Sequence, residues 1–149
     1  MRETITAALK HATKAQDKRR ISTLRLVSAA IKDRDIAART AGKTQATDAE
    51  LFELFAKMIK QREESEKIYA DAGRAELAKQ EAEEIAIIRE FLPKQLSDKE
   101  MEEAIADAIA KSGPSGVKDM GKVMAELKVR YAGQMDFAKA SATVKAKLG

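Results

Sequence analysis

The 149-residue sequence predicts an all-α protein, with about four helices in an N-terminal domain and three short helices in a tail domain. Apolar residues recur three and four positions apart through most of the chain, which is the spacing of amphipathic helices. Only two prolines are present, and 44% of the residues are hydrophobic. No segment alternates apolar and polar residues beside hairpin turn chemistry. A chain of this length can bury an independent core.

The first two helices occupy the N-terminal part of the chain. Helix one covers about residues 2–15. Asp17 is expected to cap a second helix that runs to about residue 39, because a short acidic side chain can accept from the free amides at a helix start. Gly42 follows as a C-terminal stop. The apolar stripes of these helices consist of Ile5, Ala8, Leu9, Ala12, Ile21, Leu24, Val27 and Ile31.

Two further helices are predicted before residue 93. The sequence "TDAE" at residues 47–50 matches the S/T-x-x-E capping box that opens many helices. Gly73 is expected to end this third helix, and the fourth runs from Arg74 until Pro93 stops it. Their apolar stripes consist of Leu51, Leu54, Phe55, Met58, Ile59, Ile68 and Tyr69, followed by Leu77, Ile85, Ile88, Phe91 and Leu92.

The domain boundary is predicted in "FLPKQL", where a helix breaker precedes a second capping box, "SDKE" at residues 97–100. This gives an N-terminal domain of residues 1–95 and a tail domain of residues 96–149. Within the tail, "KSGPSG" at residues 111–116 is typical of a loop.

Three tail helices are predicted beyond this boundary. Asp119 and Asp136 are expected to cap the sixth and seventh helices, with "AGQ" as the turn between them. Gly121 is interpreted as permitting close helix contact, since a glycine inside a helix otherwise costs about 1 kcal/mol. The tail's apolar stripes consist of Met101, Ile105, Ile109, Val123, Met124, Leu127, Phe137, Ala140, Val144 and Leu148.

Charge is distributed in three blocks. Residues 1–43 hold eleven Lys/Arg against four Asp/Glu, residues 44–110 nine against seventeen, and residues 111–149 eight against three. A polyanion is therefore expected to meet the two ends of the chain. The alternative is that the blocks neutralise each other within the fold. The cations around Arg19 and Arg20 could likewise bind phosphate or pair with carboxylates of the same chain.

Catalytic chemistry has little support in the sequence. The absence of cysteine and the presence of a single histidine, His11, exclude thiolate chemistry and histidine-rich metal sites. Glu81 and Glu84 could act as paired carboxylates, but Glu83, Glu84 and Glu90 are expected to face solvent in ion pairs. We expect no independent catalysis, no cofactor and no metal. No apolar run approaches a membrane span, so a cytoplasmic protein without a membrane partner is expected.

The basic tail holds the strongest functional signal. In "GKVMAELKVRYAGQMD", residues 121–136, Lys122 and Lys128 lie near the two ends of the predicted sixth helix. Gly133 permits a left-handed turn that could leave amides free near Arg130. Such a bend, surrounded by basic side chains, can contact a sugar–phosphate backbone. The alternative is a plain helical hairpin.

The stretch "KDMGKVMAELKVRYAGQMDFAKASATVKAKLG" resembles the tail domain shared by the B subunit of glutamine-dependent tRNA amidotransferases and the YqeY-like proteins, the GatB/YqeY family. "RRISTLRLVSAAIKDRDI" and "EFLPKQLSDKE" precede it as they do in YqeY-like proteins, so the resemblance covers nearly the whole chain. It implies a helical domain followed by a three-helix tail.

The functional implications of the resemblance are narrower. In the B subunit the tail contacts tRNA, while the label "carbon–nitrogen ligase with glutamine as amido-N-donor" depends on a catalytic domain with no counterpart here. The resemblance therefore implies a partner that is tRNA, an amidotransferase or another tRNA-related protein. A helical adaptor that recruits a basic protein through its acidic middle is the alternative. The positions matched to an RNA-facing role are Lys118, Lys122, Lys128, Arg130, Tyr131, Gly133 and Lys139.

Overall fold

A computed structural model describes residues 1–112 and 119–148, and these residues form seven α-helices and no strand. The chain divides into two compact units, Met1–Leu92 and Pro93–Gly149. The all-α prediction is confirmed, whereas the predicted domain boundary after residue 95 stays a prediction. The helices are α1 (Arg2–Ala15), α2 (Lys18–Thr40), α3 (Asp48–Asp71), α4 (Ala75–Arg89), α5 (Asp98–Ser112), α6 (Met120–Arg130) and α7 (Phe137–Leu148). None of these helices, as described, is both long and apolar enough to cross a membrane.

Side chains begin four of these helices as predicted. Asp17 accepts from the backbone amide of Arg20 at 3.1 Å, and Asp136 accepts from that of Ala138 at 2.9 Å. Both capping boxes are present, with Thr47 opening α3 and Ser97 opening α5. These bonds satisfy amides that a helix start leaves without a partner.

Left-handed residues end the first three helices. Gly42 and Gly73 follow α2 and α3 with φ of 87° and 73°, as predicted. At the end of α2 the amide of Lys43 donates back to the carbonyl of Ala38 at 2.9 Å, a bond typical of the Schellman motif. The end of α1 was not predicted in this form: Gln16 adopts the left-handed conformation with φ of 55°.

The core of the first unit is formed by all four of its helices. Arg2 fastens the start of α1 to α2, because its guanidinium lies 2.6 Å from a carboxylate oxygen of Asp35. The hydrogen bond from Arg2 and a second from the amide of Ala46 lower the pKa of Asp35. The buried apolar residues of this core are Ile5, Ala12, Leu24, Val27, Ile31, Ala38, Ala46, Leu51, Phe55, Met58, Ile59, Ile85, Ile88 and Phe91.

Helices α3 and α4 extend beyond this core as a helical hairpin. Between residues 60 and 83, which we call the arm, no residue is buried. The predicted apolar stripes are wrong here, because Ile68 is 66% exposed and Leu77 36% exposed. The helical spacing of apolar residues continues through the arm. The buried apolar core of the first unit does not, because its last residue on α3 is Ile59 and its first on α4 is Ile85.

Glu84 is buried at the base of the arm, which corrects the prediction that it faces solvent. Its carboxylate lies 3.3 Å from Nε of Arg62, and Nη1 of Arg62 donates to the carbonyl of Met58. Nε of Arg62 is thus within ion-pair distance of the carboxylate but forms no hydrogen bond with any described residue. A buried carboxylate is retained here because a cation on the facing helix compensates its charge.

The basic head and acidic middle of the chain neutralise each other in several places within the first unit. Arg19 pairs with Glu83 at 3.2 Å and Arg20 with Glu90 at 2.5 Å. Lys43 pairs with Glu50 at 3.0 Å. These residues therefore follow the alternative in which the charge blocks neutralise each other within the fold.

The second unit has a smaller core. Its buried apolar residues are Ala104, Ile105, Ala108, Val123, Leu127, Met135, Ala140 and Val144. The interpretation of Gly121 is wrong: this glycine is exposed, and a Cβ added to it would meet no atom within 4 Å. It does not serve close helix contact among the described residues.

Candidate nucleic-acid interface

Three predicted cations are exposed on the helical hairpin formed by α6 and α7. Lys122 lies in the first turn of α6 and Lys128 in its last turn, while Lys139 lies in the first turn of α7. None of the three forms an ion pair within residues 1–112 and 119–148. Lys145 and Lys147 are exposed in the last turn of α7. The hairpin therefore presents several uncompensated positive charges to solvent.

Arg130 is in a different electrostatic situation. Its guanidinium lies 3.6 Å from a carboxylate oxygen of Asp107 on α5 and 3.6 Å from one of Glu126 on α6. It also lies 6.0 Å from the centre of the Tyr131 ring, a distance compatible with a cation–π contact. These contacts join α5 to the end of α6, so part of the charge of Arg130 is compensated inside the unit.

The bend between α6 and α7 is closed by hydrogen bonds. Gly133 is buried and left-handed, with φ of 74°. The amide of Gln134 donates to the carbonyl of Tyr131 at 2.9 Å. This part of the bend therefore does not offer the free amides that the sequence suggested, and Gly133 acts in the turn itself.

The segment before α5 lies against this bend. The side-chain amide of Gln95 donates to the carbonyl of Gly133 at 2.5 Å, and the backbone amide of Leu96 donates to the carbonyl of Gln134 at 2.8 Å. These two residues were not identified from the sequence. Their contact joins positions 38 residues apart, and no local pattern indicates such a pairing.

Two other predicted residues remain. Tyr131 is half-buried and packs against the core of the second unit, so only part of its ring is available to a base. Lys118 lies outside the described residues, as does most of the predicted 111–116 loop. The candidate surface is thus defined by the three exposed lysines Lys122, Lys128 and Lys139, which we call the tail lysines.

The single histidine of the chain, His11, lies in the first unit. His11 is exposed and lines an open groove together with Asp17 and Arg20. Asp17 is used in capping α2 and Arg20 in its pair with Glu90. Within the described ranges, no group of three or more His, Cys, Asp or Glu side chains is placed to hold a metal ion.

Comparison with known proteins identifies a family for the chain. The family model described as "Yqey-like protein" matches residues 2–148, and so extends over both units. No curated protein matches the chain.

Proposed function

Since the chain belongs to the YqeY-like protein family, we propose that it binds tRNA through its second unit and assists an amidotransferase or another tRNA-related enzyme. The observation that supports this proposal is the set of exposed tail lysines, which form no ion pair among the described residues. The resemblance of the tail to that of the amidotransferase B subunit points to tRNA as the polyanion. We propose no catalysis by the chain alone.

Contacts with phosphate and sugar dominate the proposed binding. Lysine recognises phosphate as a point charge and does not read base edges. Tyr131 is half-buried, so stacking contributes little. The affinity should therefore depend strongly on salt and weakly on RNA sequence.

The residues of the tail have different roles in this proposal. The tail lysines contact phosphate directly. Arg130 supports the surface by holding α6 to α5 through Asp107, and Gly133 shapes the bend. Lys118 keeps the role that the resemblance implies.

The adaptor alternative relies on the acidic middle of the chain. Several of its carboxylates are already engaged inside the first unit, including Glu50, Glu83 and Glu90. Such pairs leave less negative charge for a basic partner. The tail lysines have no comparable intramolecular partners in the described chain, so we favour RNA binding.

The test is a triple variant, Lys122→Gln, Lys128→Gln and Lys139→Gln, titrated with bulk tRNA at several salt concentrations. Glutamine retains helix propensity and removes charge, so circular dichroism should not change. Each lost phosphate contact should reduce the salt slope by roughly 0.7–0.9, and the affinity should fall roughly tenfold to hundredfold. Arg130 is left intact because its loss would also break the pairs with Asp107 and Glu126.

A matched control removes the same charge from another surface. Lys57, Lys60 and Lys67 are exposed on α3 and form no ion pair in the part of the chain that the structure describes. Their replacement by glutamine should leave tRNA affinity within about twofold of wild type, if the tail lysines form the site. An equal loss in both triple variants would show unspecific attraction and contradict the proposal.

A further inference from the structure

A second basic surface lies on α2, in the first unit. Its cations recur every seven positions at Lys18, Arg25, Lys32 and Arg39, and all four are exposed. Because seven residues make nearly two helical turns, the four side chains lie in one row about 31 Å long. We call them the α2 basic row.

The α2 basic row is not neutralised within the described chain. None of its four members forms an ion pair there, whereas the neighbouring Arg19 and Arg20 pair with Glu83 and Glu90. Arg39 donates to the carbonyl of Thr44 at 3.4 Å, and its charge helps to lower the pKa of Asp35, so it is compensated only in part. The row therefore retains most of its attraction for an acidic group outside this unit.

An apolar strip runs beside the row. Leu26 is 49% exposed and Ile36 58% exposed, with the exposed Ala29 between them. In coiled-coil terms Leu26 occupies an a position, Ala29 and Ile36 occupy d positions, and the α2 basic row occupies every g position. The core residues of α2, such as Leu24 and Val27, point to the opposite side. Helix α2 is thus apolar on two sides, and only one is covered.

We propose that this uncovered face of α2 binds an acidic amphipathic helix from another protein. A helix with aliphatic residues along its centre would cover Leu26 and Ile36, and acidic residues along its edge would pair with the α2 basic row. A nucleic acid would satisfy the cations, but its phosphates gain nothing from two exposed aliphatic side chains. The combination of charge and apolar strip favours a protein helix.

A second copy of the chain fits this face poorly. An antiparallel pair of α2 helices would place one basic row against the other, which is repulsive. A parallel pair would place the α2 basic row opposite the e positions, which include Ala30 and Ala37 and provide no negative charge. Asp33 occupies an a position in the strip, and a polar residue there can specify the register of the partner.

The test uses a synthetic four-heptad peptide with leucine at a and d and glutamate at e and g, together with a scrambled peptide of the same composition. Wild-type protein should bind the first peptide, as measured by fluorescence anisotropy, and not the second. Two variants of the full chain follow, one with Arg25, Lys32 and Arg39 changed to Gln and one with Leu26 and Ile36 changed to Gln.

Each variant should bind the peptide about tenfold more weakly, since three exposed ion pairs or two covered aliphatic side chains contribute free energy of that order. The charge effect should shrink in high salt, and the aliphatic effect should not. The α3 control variant, with Lys57, Lys60 and Lys67 changed to Gln, should bind as wild type does. Circular dichroism of every variant should match wild type, because the changed residues are exposed.

Equal binding of the scrambled peptide, or wild-type affinity in both α2 variants, would overturn the proposal. If the α2 variants lose tRNA affinity and retain peptide affinity, the face belongs to nucleic acid and the proposal is again wrong. These outcomes are separate from the test of the tail lysines, which are not changed in the α2 variants.

Discussion

Glycine serves two unlike purposes just after α3 and in the first turn of α6. Gly73 has a φ of 73°, a conformation that costs an L residue free energy. Gly121 has no such φ, is exposed, and has open space where a Cβ would lie. The first glycine is therefore required by the backbone, and the second only adds conformational freedom to the unfolded chain.

We predict opposite effects for two alanine substitutions. Gly121→Ala should raise the free energy of unfolding by about 0.5–1 kcal/mol, because it restores helix propensity without a clash. Gly73→Ala should lower it by about 1 kcal/mol or more, because alanine is strained at positive φ. Urea unfolding of both variants beside wild type measures the two effects. A destabilised Gly121→Ala variant would mean that a close neighbour occupies the space beside this residue.

At the scale of the element, the arm is a helical hairpin with a polar seam. At its base the half-buried Arg62 pairs with the buried Glu84, in place of an apolar layer. Burial and the nearby charge of Glu84 raise the pKa of Glu81, which is half-buried in the same seam. The charged form of this carboxyl group is therefore destabilised by folding.

This feature predicts a pH-dependent gain in stability from Glu81→Gln. Above the folded pKa of Glu81 the native state bears the cost of its charge, and glutamine removes that cost. Below the ordinary carboxyl pKa of 4.5 the group is protonated in both states, so the gain should vanish. Thermal unfolding of wild type and variant at about pH 7.5 and about pH 3.5 compares the two regimes.

The matched control is Glu64→Gln on α3. Glu64 is exposed and forms no ion pair in the described ranges, so its substitution should change the melting temperature little at either pH. A gain from Glu81→Gln that persists at acid pH would point to packing or helix propensity and not to charge.

The whole molecule consists of two units with separate apolar cores. The core of the first unit includes large side chains such as Phe55 and Phe91, whereas that of the second is built mainly from alanine and smaller aliphatic residues. Lys94 is exposed at the start of the second unit, and the next two residues are bound to the bend after α6. The peptide bond after Lys94 is therefore an accessible cleavage point close to the boundary between the two units.

Limited trypsin digestion should cut first after Lys94 or in the 111–116 loop that the sequence predicts. The product of residues 1–94 should retain its helical circular dichroism and unfold in one cooperative transition, because it contains the whole first core. Mass spectrometry identifies the cut. First cleavage within residues 51–59, where buried side chains hold α3, would instead mean that the first unit is not closed around this core.

Local sequence signals predicted the helices well. Caps such as Asp17 and Thr47 depend on residues only a few positions away, so the sequence contains all that is needed to place them. The burial of Glu84 and the exposure of Ile68 depend on which helix lies opposite, and periodicity alone does not reveal that. Helical spacing thus predicted where the helices lie and was wrong about the burial of some of their residues.

The candidate site was predicted less completely. The exposure of Lys122, Lys128 and Lys139 could be predicted, because lysines off the apolar stripe of an amphipathic helix face solvent. The engagement of Arg130 with Asp107 and the contact of Gln95 with the bend could not be predicted, since each partner comes from a distant segment. Features that depend on neighbouring residues could be predicted from the sequence, and contacts formed by tertiary packing could not.

The end of the core halfway along α3 has a consequence for how this helix opens. Its first half is held by buried side chains, the last of them Ile59, whereas its second half is held mainly by α4 across the polar seam. Amides in the two halves therefore differ in the free energy needed to expose them to exchange with solvent hydrogen. One continuous helix then belongs to two cooperative units of local unfolding, and the arm can separate and re-form while the core of the first unit stays closed.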